Sequence, residues 1–86
     1  MKLSKLKEIL ENDAEKCQYY YRQYPSLHRD VLLWEDYHAR IESNLRRGIH
    51  PVKERARIAI QETWNIGENT FYKIHSRLRD LCEDVI

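Results

Sequence analysis

Apolar residues recur along this chain at steps of three and four from one end to the other. Leu3, Leu6, Leu10, Ala14 (or Asp13), Cys17, Tyr20 or Tyr21, and Tyr24 make the first series. That spacing lays one apolar stripe along an amphipathic helix. The helix should end at Tyr24, because the residue before Pro25 is pushed out of the helical region. Ser26 suits the N-cap of a second helix. Its stripe runs Leu27, Val31, Trp34, His38, Ile41 and Leu45. Arg46 and Arg47 favour the negative end of that helix's dipole, and Gly48 suits the residue just past its end. Residues 1–47 are thus expected to form a helical hairpin with a Pro-Ser corner.

Pro51 suits the first position of a third helix, which carries Val52, Ala56, Ala59, Ile60, Thr63 and Trp64. Asn65-Ile66-Gly67 interrupts it, and Asn and Gly best tolerate left-handed backbone angles. The last helix opens near Glu68-Asn69-Thr70 and continues through Phe71, Ile74, Leu78, Leu81 (with Cys82) and Val85. No segment alternates in the manner of a strand. The expected architecture is all-α, one domain over residues 1–86, with about four helices: a hairpin over 1–47 and a helix-turn-helix over 51–86.

The helix-turn-helix expectation rests on residues 57–78. Such a motif needs two helices joined by a tight turn, with apolar residues at fixed inward offsets. Ile60 and Trp64 face inward from the first helix, Ile66 plugs the turn, and Phe71, Ile74 and Leu78 face inward from the second. This stretch resembles the helix-turn-helix of bacterial and phage transcription regulators. Asn65 through Ile74 is similar to the turn and recognition helix of sigma factor region four and its relatives. Over the whole chain, a helical region with a Tyr-Pro corner before a C-terminal helix-turn-helix resembles the small phage late-transcription activators of the RinA and ArpU type. Two residues depart from the motif. Gln61 stands where Ala is usual, which implies a slightly wider helix crossing. Gly67 stands where a Ser or Thr cap is common, which implies a weaker helix start.

The resemblance implies a second helix lying in the major groove of double-stranded DNA, with its N-terminal residues nearest the bases. The outward positions are then Glu68, Asn69, Thr70, Tyr72, Lys73, Ser76 and Arg77. Asn69 suits adenine, and Lys73 or Arg77 suits guanine or phosphate. Tyr72 and Ser76 suit phosphate anchoring. Glu68 fits such a surface only by accepting from a cytosine amino group.

Charge first argues against this reading and then for it. The 86 residues carry 15 Lys and Arg against 14 Asp and Glu, a net charge of +1. That total is not spread evenly. Residues 40–57 hold six basic and two acidic side chains, net +4, between segments of net −1 and −2. The block contains Arg40, Arg46, Arg47, Lys53, Arg55 and Arg57, placed just ahead of the turn. These cations suit backbone phosphates beside the recognition helix, the salt-dependent part of affinity.

Other classes fit less well. At this length about 64% of the unfolded surface is buried on folding, and a deep substrate cavity would consume much of the core. With two Gly, neither a phosphate-cradling loop nor a many-turned β-sandwich is expected. No nucleophile, base and orienting group stand together, and the adjacent pairs Glu35/Asp36 and Glu83/Asp84 project in different directions. An enzyme is not expected. His28, His38, His50 and His75 lack paired ligand spacing, so neither metal nor other cofactor is expected. His38, on an apolar stripe, reads as a hydrogen-bonded core histidine. Cys17 and Cys82 are too few for a disulfide framework. With no signal-like or membrane-spanning run, a cytoplasmic protein with reduced thiols is expected.

Tyr19, Tyr20, Tyr21 and Tyr24 cannot all face one core. They read either as a packed corner around Pro25 or as a partner surface, since Tyr is enriched at interfaces. The long Leu27–Leu45 stripe, widened by Leu32, Leu33 and Tyr37, suggests a homodimer; RNA polymerase is another possible protein partner. The function expected is sequence-specific DNA binding in transcription regulation, phage or bacterial. Two alternatives are a helical module that binds and inhibits a bacterial protein, and a small DNA-packaging protein like a terminase small subunit.

Overall fold

The computed structural model describes residues 1–86 and is all-helical. Five helices follow one another: α1 Leu3–Asn12, α2 Ala14–Gln23, α3 Leu27–Arg47, α4 Val52–Trp64 and α5 Glu68–Leu81. The fifth helix arises because the expected first helix is two. Asp13 takes an extended conformation (φ −119°, ψ 96°), and its carboxylate accepts the Lys16 N–H at 3.1 Å. An aspartate at that point caps a new helix better than it continues an old one, because its side chain competes for backbone donors. The other boundaries fall where local chemistry places them. Tyr24 is non-helical before Pro25, and Gly48 closes α3 in the left-handed region at φ 67°. Ser26 occupies the N-cap position of α3, but its side chain makes no cap bond. Pro51 stands one residue ahead of α4 rather than inside it.

The spine is α3. Lys7 meets Glu35 at 3.0 Å and His28 meets Glu11 at 3.4 Å, so α1 runs antiparallel along its first half. Arg40 donates to Thr63 and Asn44 donates to the Val52 carbonyl, so α4 runs antiparallel along its second half. Phe71 packs on Tyr37, His75 stacks on Trp34 and Arg77 reaches Asp30, so α5 also descends along α3. After α5 the chain returns to its start: Glu83 N–H donates to the Met1 carbonyl at 2.9 Å, and Leu3 N–H donates to Asp84 at 2.9 Å.

The core is drawn from four helices. Leu6 and Leu10 of α1, Leu27, Val31, Leu33 and Trp34 of α3, Ala56 and Ile60 of α4, and Phe71, Ile74 and Leu78 of α5 are all buried. Each large aliphatic side chain removed from water contributes roughly 1.5–3 kcal/mol. The α2 helix buries no residue; it touches the core through half-buried Cys17 and Tyr20, followed by Tyr24. Ten residues form too short a helix to persist without contacts, so those side chains and the Asp13 cap are what hold it.

The buried face of α3 differs from the expected stripe. Leu33 and Tyr37, off that stripe, are buried, whereas His38 is exposed and Leu45 is 60% exposed. The reason is that α1 and α5 cover the first half of α3 from different sides, while α4 alone flanks its end. His38 is no core histidine; its ring lies against Trp34 and Tyr37 at centroid distances of 5.6 and 5.7 Å. The apolar surplus read as a dimer surface is therefore largely internal. No helix is long and apolar enough to cross a membrane.

Candidate nucleic-acid interface

The turn between α4 and α5 is built as the residue types require. Asn65 adopts the left-handed conformation (φ 52°, ψ 53°), and Ile66 N–H donates to the Gln61 carbonyl at 3.0 Å. Gly67 is extended rather than left-handed, and a Cβ there would meet nothing within 4 Å. Glycine is thus not demanded at this position, and α5 starts without a side-chain cap. The inward offsets are filled. Ile60, Phe71, Ile74 and Leu78 are buried, and Trp64 and Ile66 are half-buried against the core. Trp64 also donates its indole N–H to Asp36 at 3.0 Å, which ties the end of α4 to α3.

The outward side of α5 forms a shallow groove of about 450 Å³ lined by Asn69, Tyr72, Lys73, Ser76 and Arg77. Five of the seven outward positions of this helix thus share one depression; Glu68 lies outside it. Thr70 is half-buried and also lies outside it. Asn69, Lys73 and Ser76 are exposed, and Tyr72 is 47% exposed.

The cations expected to contact phosphate divide into two sets. Arg46, Arg47, Lys53, Arg55 and Lys73 are exposed and enter none of the chain's ion pairs. Arg57 and Arg77 are engaged. Arg57 has only 16% of its side chain exposed, donates to Gln61 at 2.6 Å, lies 3.8 Å from Glu68 and sits over the Tyr72 ring at 5.8 Å. Gln61, the departure from the motif, is thereby used to hold Arg57. Glu68, awkward at a DNA surface, is turned to the same guanidinium. Arg40 is likewise occupied, by Asp36 at 3.3 Å and Thr63 at 3.0 Å.

Arg77 corrects the expectation of a freely projecting side chain. Its Nε and Nη2 both donate to Asp30 Oδ2, at 3.1 and 3.0 Å. Arg29 donates to the other oxygen at 2.9 Å. Asp30 is completely buried, while the two guanidiniums keep 41% and 32% exposure. A buried carboxylate is tolerable only when its charge and lone pairs are answered, and two arginines answer both. Two cations on one anion leave a net positive charge at the lower end of the groove. Arg77 can therefore bias the field felt by a polyanion without leaving its partner.

Asp30 had a signal in the sequence: an acid standing among Leu27, Val31, Leu33 and Trp34, on the face that packs. Its partner had none, because Arg77 lies 47 residues away.

A second concavity lies between α3, α4 and α5. It is an open-sided cleft of about 630 Å³ walled by Trp34, Tyr37, Phe71, Tyr72 and His75, with Lys53 and Arg57 on the α4 side. A deep cavity of this size would consume much of so small a core; this cleft does not, because it opens to solvent rather than hollowing the interior. Burial raises the pKa of the Tyr37 hydroxyl, neighbouring Tyr72 raises it further, and Arg57 lowers it. No family model, curated protein or solved structure matches this chain.

Proposed function

We propose that the chain is a sequence-specific, double-stranded DNA-binding regulator of phage or bacterial transcription, with α5 as its recognition helix. The observation that carries this reading is the groove on α5. Amide, ammonium, hydroxyl and phenol groups converge there, directly after a turn whose left-handed asparagine and buried Ile60, Phe71 and Ile74 suit a helix-turn-helix. Asn69 and Lys73 read base edges. Tyr72 and Ser76 anchor the flanking phosphates. Lys53 and Arg55 on α4, and Arg46 and Arg47 at the end of α3, supply the sequence-independent attraction. The protein acts in the cytoplasm without a cofactor. It works as a homodimer or with a polymerase contact, and exposed Tyr19 and Tyr21 on α2 provide the protein-facing surface.

The test is a binding selection from fragmented genomic DNA at two salt concentrations, repeated with Lys73→Gln and Asn69→Ala. Wild type should enrich a defined site and bind more weakly at high salt. Lys73→Gln should lower affinity and reduce the salt slope by about 1. Asn69→Ala should relax one base position at a cost of about 1–3 kcal/mol. Absence of any salt-dependent DNA binding sinks this reading and favours a protein-binding module.

A further inference from the structure

Asp30 holds one arginine more than its charge requires. A single guanidinium with two N–H groups on the carboxylate would neutralise it. Arg77 already stands that way, with Nε and Nη2 at 3.1 and 3.0 Å from Oδ2. Arg29, in the first turn of α3, lays the same edge on the other oxygen, with Nε at 3.3 Å and Nη2 at 2.9 Å. A guanidinium carries five N–H groups in a fixed fork. Both arginines spend the Nε and Nη2 edge on Asp30, and neither Nη1 finds an acceptor in the chain.

Two like charges held side by side repel, and the buried carboxylate offsets only one of them. Both side chains remain partly open to water, so an anion can approach the surplus charge. The pair is also set in advance. Arginine ordinarily loses rotamer freedom on binding, but these two are already fixed on a buried anchor. Arg77 borders the groove of Asn69, Tyr72, Lys73 and Ser76. Arg29 extends that surface onto α3, and no spacing along α5 would have selected it.

We propose that Arg29 and Arg77, held side by side by Asp30, clamp one backbone phosphate of the duplex that α5 reads. The free N–H groups of both guanidiniums donate to the phosphate oxygens, in charge-assisted hydrogen bonds. Asp30 is a positioning residue and touches no DNA. The clamp rests on the DNA reading of α5 and adds to it a contact from α3.

The test measures the affinity of the whole chain for its enriched DNA fragment and for a scrambled duplex at two salt concentrations, with the helical spectrum recorded for every variant. Arg29→Gln should weaken both duplexes by the same several-fold factor and reduce the salt slope by about 1, because a phosphate contact carries no sequence information. Asp30→Asn is the sharper variant. It removes a negative charge, so a simple electrostatic field would hold DNA more tightly, whereas a clamp that has lost its anchor holds it several-fold more weakly. Should Asp30→Asn not fold, Arg29→Lys takes its place: it keeps the charge, loses the fork and should also bind several-fold more weakly. The clamp is overturned if folded Arg29→Gln binds as wild type does, or if the folded Asp30→Asn or Arg29→Lys protein binds at least as tightly as wild type. Inorganic phosphate alone, binding the chain as tightly as DNA does, would assign the pair to a small anion and overturn it too. A wild type that binds no duplex removes the reading of α5 and the clamp together. Wild-type binding that Lys73→Gln weakens and Arg29→Gln does not removes the clamp alone.

Discussion

The two sides of α5 carry the same residue types and use them differently. On the side toward α3, Arg77 is fixed on Asp30 by two hydrogen bonds, beside buried Leu78 and about one turn from buried Ile74. On the outer side, Lys73 is exposed and unpaired one turn earlier. Both are cations in one groove, yet one holds the fold and the other is free for a partner. The lesson is that a cation on a candidate recognition helix has to be sorted by what already neutralises it before it is counted as a contact. A charge reversal at both positions would mix unfolding with loss of binding.

This division can be broken by experiment. Asp30→Ala should have the largest effect. It strips the acceptor from two guanidiniums, and the loss should be about 3 kcal/mol in chemical denaturation. A loss under about 1 kcal/mol would mean that the arginines simply turn to solvent. Arg77→Gln should come next, at about 2 kcal/mol, because it leaves Arg29 alone to answer the buried carboxylate. Lys73→Gln should stay within about 0.5 kcal/mol of wild type, with its effect confined to DNA affinity. Equal destabilisation by the two substitutions would erase the distinction between the faces.

A smaller effect lies at the end of α5. Burial raises the pKa of the Cys82 thiol, and Asp84 raises it further. A thiol held neutral in the fold contributes stability that is whole below its unfolded pKa and declines as pH rises toward the folded one. The denaturation midpoint should therefore fall in alkaline solution, and Cys82→Ala should flatten that fall while Cys17→Ala does not. The smallest effect expected is at Gly67. Its backbone suits any residue and its surroundings are open, so Gly67→Ser should stabilise by about 0.5 kcal/mol through a new cap and a less flexible unfolded chain. A loss of stability there would mean that the start of α5 tolerates no side chain.

What could be read in advance was local. Pro25, Gly48 and Asn65 each constrain the backbone through their own chemistry, and α2, α3 and α4 end beside them. Three-and-four spacing identified the inward residues of α4 and α5. The break at Asp13 was hidden because the apolar series continues through it, and periodicity does not register one extended residue. The rotated burial of α3 was hidden for a different reason. Which side of a helix is covered depends on its neighbours, and Leu33 and Tyr37 are claimed by helices whose placement no short window contains. The groove on α5 could be anticipated from spacing along one helix. The aromatic cleft could not, because α3, α4 and α5 all contribute to it.

The contact between Arg77 and Asp30 also settles how far α5 can slide. Its apolar face presents Phe71, Ile74 and Leu78, and such a face fits a neighbour almost as well when shifted by one turn, about 5.4 Å. Shifted one way, Leu81 would lie opposite Asp30 and strand a buried negative charge. Shifted the other way, Lys73 would offer one ammonium where a two-pronged guanidinium now sits. Greasy surfaces alone leave several alignments nearly equal in energy. One acid at the depth of the core makes a single alignment decisively cheaper than its neighbours, and with it fixes where every outward residue of α5 is displayed.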